Sequence, residues 1–206
     1  MRYLDFYRTF SAFGCIDINQ VKLLDPSFNR TSLTRWVAKG YIVQLRNGVY
    51  AFKEWIKSPN SNFIASCVMC RPSYITGYSA LAYYGMIPEF VAQTTCATTL
   101  KTCSFTNEFG TFVYKHLKFE LFWGYMPVNG SSQRSFFIAT PEKALLDLLY
   151  LNPSIKSVDD MIELRLDEDY MSEDFDWLKT MEFLKIFNNK SLNKRFDNII
   201  KVYRND

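Results

Sequence analysis

The dipeptide Asn47-Gly48 constrains the fold of this chain more than any other feature. It lies between two short runs rich in β-branched and aromatic residues, at 41–45 and 49–52. Asn-Gly between two such runs favours a two-residue turn, because both residues readily adopt positive φ angles. The sequence therefore predicts a β-hairpin over residues 41–52.

Three short helices are predicted before the hairpin. In residues 2–13, Tyr3, Phe6 and Phe10 recur at the spacing of one helical face, and Gly14 ends the pattern. The other elements predicted before the hairpin are an extended piece (15–18), a helix capped by Asn19 (19–24) and a third helix (31–39) followed by Gly40.

The third predicted helix has two different faces. Leu33, Trp36 and Val37 form an apolar face, and the opposite face shows small side chains and one arginine. Such a face suits a helix that enters a DNA major groove, which is about 12 Å wide. The order of the elements is that of a winged helix-turn-helix, which we predict over residues 1–57. The residues predicted to contact DNA are Arg30, Thr31, Ser32, Thr34, Arg35, Lys39, Arg46 and Asn47.

Charge is distributed unevenly along the chain. Residues 1–57 contain nine Lys and Arg against four Asp and Glu, a net charge of +5. Residues 58–206 contain fifteen against seventeen, a net charge of −2. A basic segment favours a polyanionic partner such as nucleic acid. The alternatives are that these charges are solvated helix faces, and that the winged-helix domain makes only protein contacts.

Residues 58–206 are predicted to form a separate α+β domain, with a small mixed sheet and C-terminal helices. The polar stretch 53–62, which includes Pro59, is predicted to be a linker. The elements predicted beyond it are helices at 62–70 and 79–84, β-rich stretches at 90–100, 111–123 and 136–138, a helix opened by Pro141, and two last helices capped by Ser172 and Ser191.

Residues with potential chemistry are few, and the sequence does not assemble them into a site. His116 is the single histidine and lies in a β-like run. Cys67 and Cys70 have zinc-ligand spacing, but in an apolar helix thiols behave as small apolar groups. The nine acidic residues within 159–176 are typical of solvated helix ends. We predict no catalytic residue, no cofactor and no metal, with a metal-dependent enzyme in 58–206 as the less favoured alternative.

The cellular compartment is predicted from the cysteines and the apolar stretches. The five cysteines are an odd number without disulfide-framework spacing, which favours a reducing environment. Asp5 and Arg8 interrupt any signal-peptide core at the N-terminus. The longest charge-free stretch, 72–88, contains proline and glycine and is not expected to cross a membrane. We therefore expect a cytoplasmic protein.

Three blocks of sequence resemble the AbiEi family of antitoxin-type transcriptional regulators. They are SLTRWVAKGYIVQLRNGVYAF, RPSYITGYSALAYYGMIPE and IATPEKALLDLLYL. The blocks occur in the order of the family, and the resemblance spans residues 30–151. Gly77-Tyr78 stands where the family usually has Leu-Glu, so a role of that acidic side chain does not transfer to this chain.

The resemblance implies a function. Similar proteins are antitoxins of type IV toxin–antitoxin pairs, which repress their own operon by binding operator DNA. They counteract a nucleotidyltransferase-type toxin without forming a stable complex, and the second domain is thought to provide the antitoxic activity. Inverted repeats in the operator would pair with a homodimer. The alternative is a stand-alone winged-helix regulator whose second domain senses a ligand or mediates oligomerisation.

Overall fold

The computed structural model describes residues 1–89, 91–130 and 133–204, and it confirms the predicted α+β class. The α-helices of this part of the chain are α1 (Tyr3–Phe10), α2 (Ile18–Leu24), α3 (Thr31–Ala38), α4 (Ser61–Met69), α5 (Gly77–Tyr83), α6 (Pro141–Leu151), α7 (Val158–Glu163), α8 (Glu168–Glu173), α9 (Trp177–Phe187) and α10 (Lys190–Tyr203). The strands are β1 (Cys15–Asp17), β2 (Ile42–Arg46), β3 (Val49–Phe52), β4 (Ser73–Ile75), β5 (Gln93–Thr98), β6 (Cys103–Asn107), β7 (Gly110–His116), β8 (Tyr125–Asn129) and β9 (Ser135–Ala139).

The first sheet has three antiparallel strands in the order β1-β3-β2. The predicted hairpin is confirmed, with Asn47 and Gly48 as its turn and a φ angle of 79° at Gly48. The backbone amide of Ile18 donates a 2.8 Å hydrogen bond to the carbonyl of Gly48. The start of α2 is therefore attached directly to the hairpin turn.

Helix α3 ends where the sequence predicts. Gly40 has a φ angle of 69°, and its amide donates to the carbonyl of Val37. The amide of Tyr41 donates to the carbonyl of Trp36, which completes a Schellman motif. The indole of Trp36 lies 4.7 Å from the ring of Phe6, so α3 is packed on α1 through its aromatic face.

The second sheet has six strands in the order β6-β7-β5-β4-β9-β8. The pairs β5–β7 and β4–β9 are parallel, and the other pairs are antiparallel. The hydrogen bonds of the parallel pairs join residues far apart in the chain; Ile75, for example, is opposite Ile138. Strands β4, β6 and β8 were not predicted, because each is short and lacks strong turn signals of its own.

Helices cover both faces of the central strand β5, which explains its almost continuous burial. On one face, the side-chain amide of Asn62 in α4 donates to the hydroxyl of Thr94 at 3.1 Å. On the other face lies α5, since a Cβ atom at Gly77 would approach the methyl carbon of Thr95 to 3.9 Å. Successive residues of a strand point to opposite faces, so α4 and α5 lie on opposite sides of the sheet.

The segment predicted as a linker is structured. Lys53–Lys57 is a 3₁₀ helix, and α4 begins soon after it. Trp55 is buried, with its ring centroid 5.5 Å from that of Phe109 in the second part of the chain. The side chain of Asn107 also donates to the carbonyl of Leu45 at 3.0 Å. The segment is therefore packed against the second part of the chain and is not a flexible linker.

The C-terminal helices begin at caps other than those predicted. Asp167 accepts a hydrogen bond at the start of α8, and Asp176 does so at the start of α9, whereas Ser172 lies within α8. Asn189 caps α10, and Ser191 is already inside that helix. Asp and Asn compete equally well with Ser for an N-cap position, which explains the shift.

Some sequence predictions extend beyond the described residues. The β-rich stretch 90–100 begins at residue 90, and the C-terminal domain was predicted to end at residue 206; both of these residues lie outside the described ranges. None of the helices in the described ranges combines the length and the apolar character that crossing a bilayer requires.

Candidate nucleic-acid interface

The outward face of α3 is open to solvent. Thr34, Arg35 and Ala38 are exposed on this face, as the sequence predicts. Leu33 and Trp36 are buried on the opposite face. The helix is therefore held by one face and presents small side chains and a guanidinium on the other.

Cationic side chains lie at both ends of this face. Arg30 immediately precedes α3 and Lys39 immediately follows it, and both are exposed. With a rise of 1.5 Å per residue, they are about 13 Å apart along the helix axis. The carboxamide of Asn29 accepts hydrogen bonds from the amide and the hydroxyl of Thr31, at 2.9 and 2.8 Å. Asn29 was missed by the sequence reasoning, although an asparagine two residues before a helical pattern is a capping signal.

Ser32 does not belong to the exposed face, so that part of the prediction is wrong. Its residue is only 8% exposed. The hydroxyl of Ser32 accepts a 3.1 Å hydrogen bond from the terminal nitrogen of Arg35, one turn later. The helical twist places position 32 beside Leu33 at the edge of the core, where its hydroxyl orients the arginine instead of facing a groove.

The hairpin tip also differs from the prediction. Asn47 is exposed there, as expected, but Arg46 is half-buried, and its Nε atom has no hydrogen-bond partner among the described residues. Burial raises the pKa of the Cys70 thiol, and the positive charge of Arg46 opposes that shift. Arg46 therefore lies near Cys70 in the second part of the chain, and it is less exposed than a hairpin-tip contact to DNA would require.

The net positive charge of residues 1–57 lies at the surface. Eight of the nine Lys and Arg residues in this segment are exposed, all except Arg46. Three of the four acidic residues have local partners: Asp17 caps α2, Asp25 pairs with the N-terminal amine, and Glu54 accepts a hydrogen bond from Tyr7. The surface of this segment is therefore basic, because four carboxylates oppose nine cations.

A second polar cluster lies in the interior, between α6 and β4. Lys143 and Asp147 form an ion pair in which neither side chain has any solvent exposure. The hydroxyls of Tyr74 and Thr76 donate to the other carboxylate oxygen at 2.8 and 2.9 Å. Burial raises the pKa of Asp147 and lowers the pKa of Lys143, and the charge of each group opposes the shift of the other.

This buried cluster shows the features of a structural unit. The Nζ of Lys143 also donates to the hydroxyl of Tyr74 at 2.9 Å and lies 5.0 to 5.4 Å from the ring centroids of Tyr74, Trp123 and Phe187. Gly124 is packed against the stem of the lysine, so a side chain there would collide with it. Lys143, Asp147, Tyr74 and Thr76 are all fully buried, so these groups are closed off from solvent. The sequence shows Lys143 and Asp147 at i, i+4 spacing in an apolar helix, where two opposite charges can pair.

The other sequence candidates do not converge on one place. Tyr74 is fully buried, but Tyr78 and Tyr83 are exposed, so the tyrosines within residues 74–84 divide between core and surface and do not line one pocket. The thiols of Cys67 and Cys70 are buried, as predicted, and burial raises the pKa of each. Such thiols stay protonated and are poor nucleophiles.

His116 is exposed, and its position at the end of β7 is confirmed. Its Nδ1 atom lies 3.0 Å from the carbonyl oxygen of Leu100. This contact ties the ring to a neighbouring loop, as expected for a structural histidine.

Comparisons with family models and curated proteins do not assign the chain to a family. No protein-family model matches the chain, and no curated protein matches its sequence.

Proposed function

We propose that residues 1–57 form a winged helix-turn-helix that binds duplex DNA through α3. The observation that carries this proposal is the exposed face of α3, with Arg35 at its centre and a cation at each end. Behind that face, the ring of Trp36 packs against Tyr3, Phe6 and Phe28, which all belong to the same segment. A rigid helix with an open polar face can enter the major groove without rearrangement.

Each exposed residue of α3 has a role in this proposal. Arg35 reads a base edge, most suitably the two acceptors of guanine. Arg30 and Lys39 contact phosphates on either side of the groove and set the register of the helix. Thr31 and Thr34 are short enough to allow close approach of the helix to the bases. At the hairpin tip, Asn47 takes the contact role, and Arg46 contributes mainly packing.

The finer proposal is that the protein is the cytoplasmic antitoxin of a type IV toxin–antitoxin pair. Its support is the resemblance of the three sequence blocks within residues 30–151 to the AbiEi family. In this proposal the chain represses its own operon as a homodimer on inverted repeats. Residues beyond 57 counteract a nucleotidyltransferase-type toxin without forming a stable complex with it.

The DNA proposal can be tested by fluorescence anisotropy with the full chain and duplexes from the region upstream of its gene. The double variant Arg30→Gln/Lys39→Gln should weaken binding to specific and unrelated duplexes about equally. Loss of two phosphate contacts should also lower the slope of log K against log salt by about 2. The matched control Arg165→Gln/Lys101→Gln removes two exposed cations outside this segment and should leave both quantities unchanged. Equal losses in both double variants would contradict the proposed interface.

The antitoxin proposal predicts a nucleotidyltransferase gene beside the gene for this chain. Co-expression of the full chain with that enzyme should restore the growth of cells that the enzyme alone arrests. The Arg30→Gln/Lys39→Gln variant should still restore growth, because its defect is confined to DNA binding. A neighbouring gene of another class, or no restoration of growth, would overturn the antitoxin proposal and leave DNA binding intact.

A further inference from the structure

A cavity of about 570 Å³ lies between the end of α4 and the β8–β9 edge of the large sheet. This volume is typical of sites that hold one small organic molecule. The cavity is lined by Cys67, Val68, Arg71, Pro72, Ser73, Phe122, Tyr125, Arg134, Ser135 and Phe137. The lining contains two guanidinium groups and three aromatic rings, and none of these residues is acidic.

The two arginines make the cavity strongly cationic. Burial lowers the pKa of Arg134, Cys15 opposes that shift, repulsion from Arg71 adds to it, and the carboxylate of Asp17 opposes it. Neither arginine forms an ion pair with another described residue. The Nε of Arg71 donates to the carbonyl of Cys67 at 3.2 Å, which holds its side chain beside the last turn of α4. Two neighbouring cations without a carboxylate in direct contact are an unfavourable arrangement that a bound anion would relieve.

The aromatic rings give the cavity flat walls. Phe137 is 41% exposed, and its ring lies edge-on to Tyr125 with centroids 5.8 Å apart. Tyr125 is in turn stacked on the buried ring of Tyr74 at 4.6 Å. Tyr74 is fixed by the ion pair of Lys143 and Asp147. The wall is therefore supported by the core, so it offers a preformed surface for a planar ligand.

We propose that this cavity binds a mononucleotide. The phosphate would pair with the guanidinium groups of Arg71 and Arg134, which suit the geometry of phosphate oxygens. The base would stack against the exposed ring of Phe137, since every base presents a π face. An inorganic anion would leave the aromatic wall unused, and an apolar ligand would leave both cations unpaired. This inference does not depend on the proposed binding of duplex DNA.

The site is connected to the DNA-binding segment through Arg134. One of its terminal nitrogens donates a 2.6 Å hydrogen bond to the side chain of Gln20 in α2. Its guanidinium also lies over the ring of Phe13, 5.2 Å from the centroid. A phosphate that engages Arg134 therefore acts on a residue that holds α2, the helix before α3. The proposed ligand would thus bind where the two parts of the chain meet.

Isothermal titration calorimetry of the full chain with AMP, GMP, CMP and UMP tests the proposal. At least one of them should bind, with inorganic phosphate and the matching nucleoside each binding at least about tenfold more weakly. Arg71→Gln should weaken binding by about tenfold or more, because it removes a charged hydrogen-bond donor. Phe137→Ala should weaken binding by about fivefold or more, because it removes the stacking surface. Both side chains are exposed, so both variants should keep the unfolding temperature of the parent chain.

The control variant Arg165→Gln removes an exposed cation that pairs with Glu89 away from the cavity, and it should bind nucleotide unchanged. Absence of binding to all four nucleotides up to about 10 mM would overturn the proposal. Binding that survives both Arg71→Gln and Phe137→Ala would place the nucleotide elsewhere and would also overturn it. A short single-stranded oligonucleotide is titrated in parallel, and its binding without binding of any mononucleotide, with loss in both Arg71→Gln and Phe137→Ala, would overturn the proposal in favour of a bound strand.

Discussion

Lys143 and Asp147 form an ion pair one turn apart on α6, and neither side chain has any solvent exposure. Both oxygens of the Asp147 carboxylate accept hydrogen bonds: Lys143 donates to one, and Tyr74 and Thr76 donate to the other. Removal of one partner leaves a buried charge without compensation, whereas apolar replacement of both partners does not. The pair is therefore expected to be strongly coupled in its effect on stability.

Lys143→Met should lower the free energy of unfolding by about 3–5 kcal/mol, measured by urea denaturation. The double variant Lys143→Met/Asp147→Leu should lose much less unfolding free energy than the two single variants lose together. Lys201→Met, at an exposed position of α10, should change stability by less than about 0.5 kcal/mol. Additive single and double effects would show that the two charges do not act as a unit.

Arg35→Ala should weaken binding to the operator by about 1–3 kcal/mol and relax base preference at one or two positions. Ser32→Ala should have a smaller effect in the same direction, because the buried hydroxyl only orients the guanidinium of Arg35. Anisotropy titrations with single-base operator variants measure both quantities. Unchanged preference in a folded Arg35→Ala protein would mean that another element reads the bases.

Gly14→Ala should be far more destabilising than Gly40→Ala. Both glycines have positive φ angles, 66° and 69°, so both substitutions incur about 1 kcal/mol of backbone strain. A methyl group at position 14 would also collide with the ring of Trp55, whereas the space at position 40 is open. Thermal and urea unfolding should show an additional loss of about 1–3 kcal/mol for Gly14→Ala. Equal losses would show that Trp55 can move away at little cost.

The stability of the chain in acid should depend on Asp160. Hydrogen bonds from the amides of Ser157 and Lys156 lower the pKa of this carboxyl from 3.8 to about 2. A carboxyl with a depressed pKa in the folded state stabilises the fold above its unfolded pKa, and that contribution is lost as the pH falls through its folded pKa. Asp160→Asn should therefore flatten the fall of the melting temperature between about pH 4 and pH 2. If the melting temperature of the variant fell with pH as steeply as that of the wild type, other carboxyls would be responsible for the fall.

The elements of residues 1–57 were predictable because their signals are local. Asn47-Gly48 set the hairpin turn, and Gly40 ended α3, since each conformation depends on a few neighbouring residues. The apolar face of α3 followed from the spacing of Leu33 and Trp36. The start of α6 at Pro141 was also predictable from a local signal, because the fixed φ of proline suits the first helical position.

The surroundings of individual side chains were decided by tertiary structure alone. Periodicity did not show that the hydroxyl of Ser32 binds Arg35, or that Arg46 is half-buried. The strand order of the large sheet joins segments such as β4 and β9, which lie more than sixty residues apart. The cavity likewise depends on distant segments, because residues 67–73 and 134–137 both line it. The buried pair on α6 also needs partners from β4 and its end, Tyr74 and Thr76. Local sequence determines turns, caps and helical faces, because those depend on backbone preferences over a few residues; burial and partners depend on which distant segments pack together.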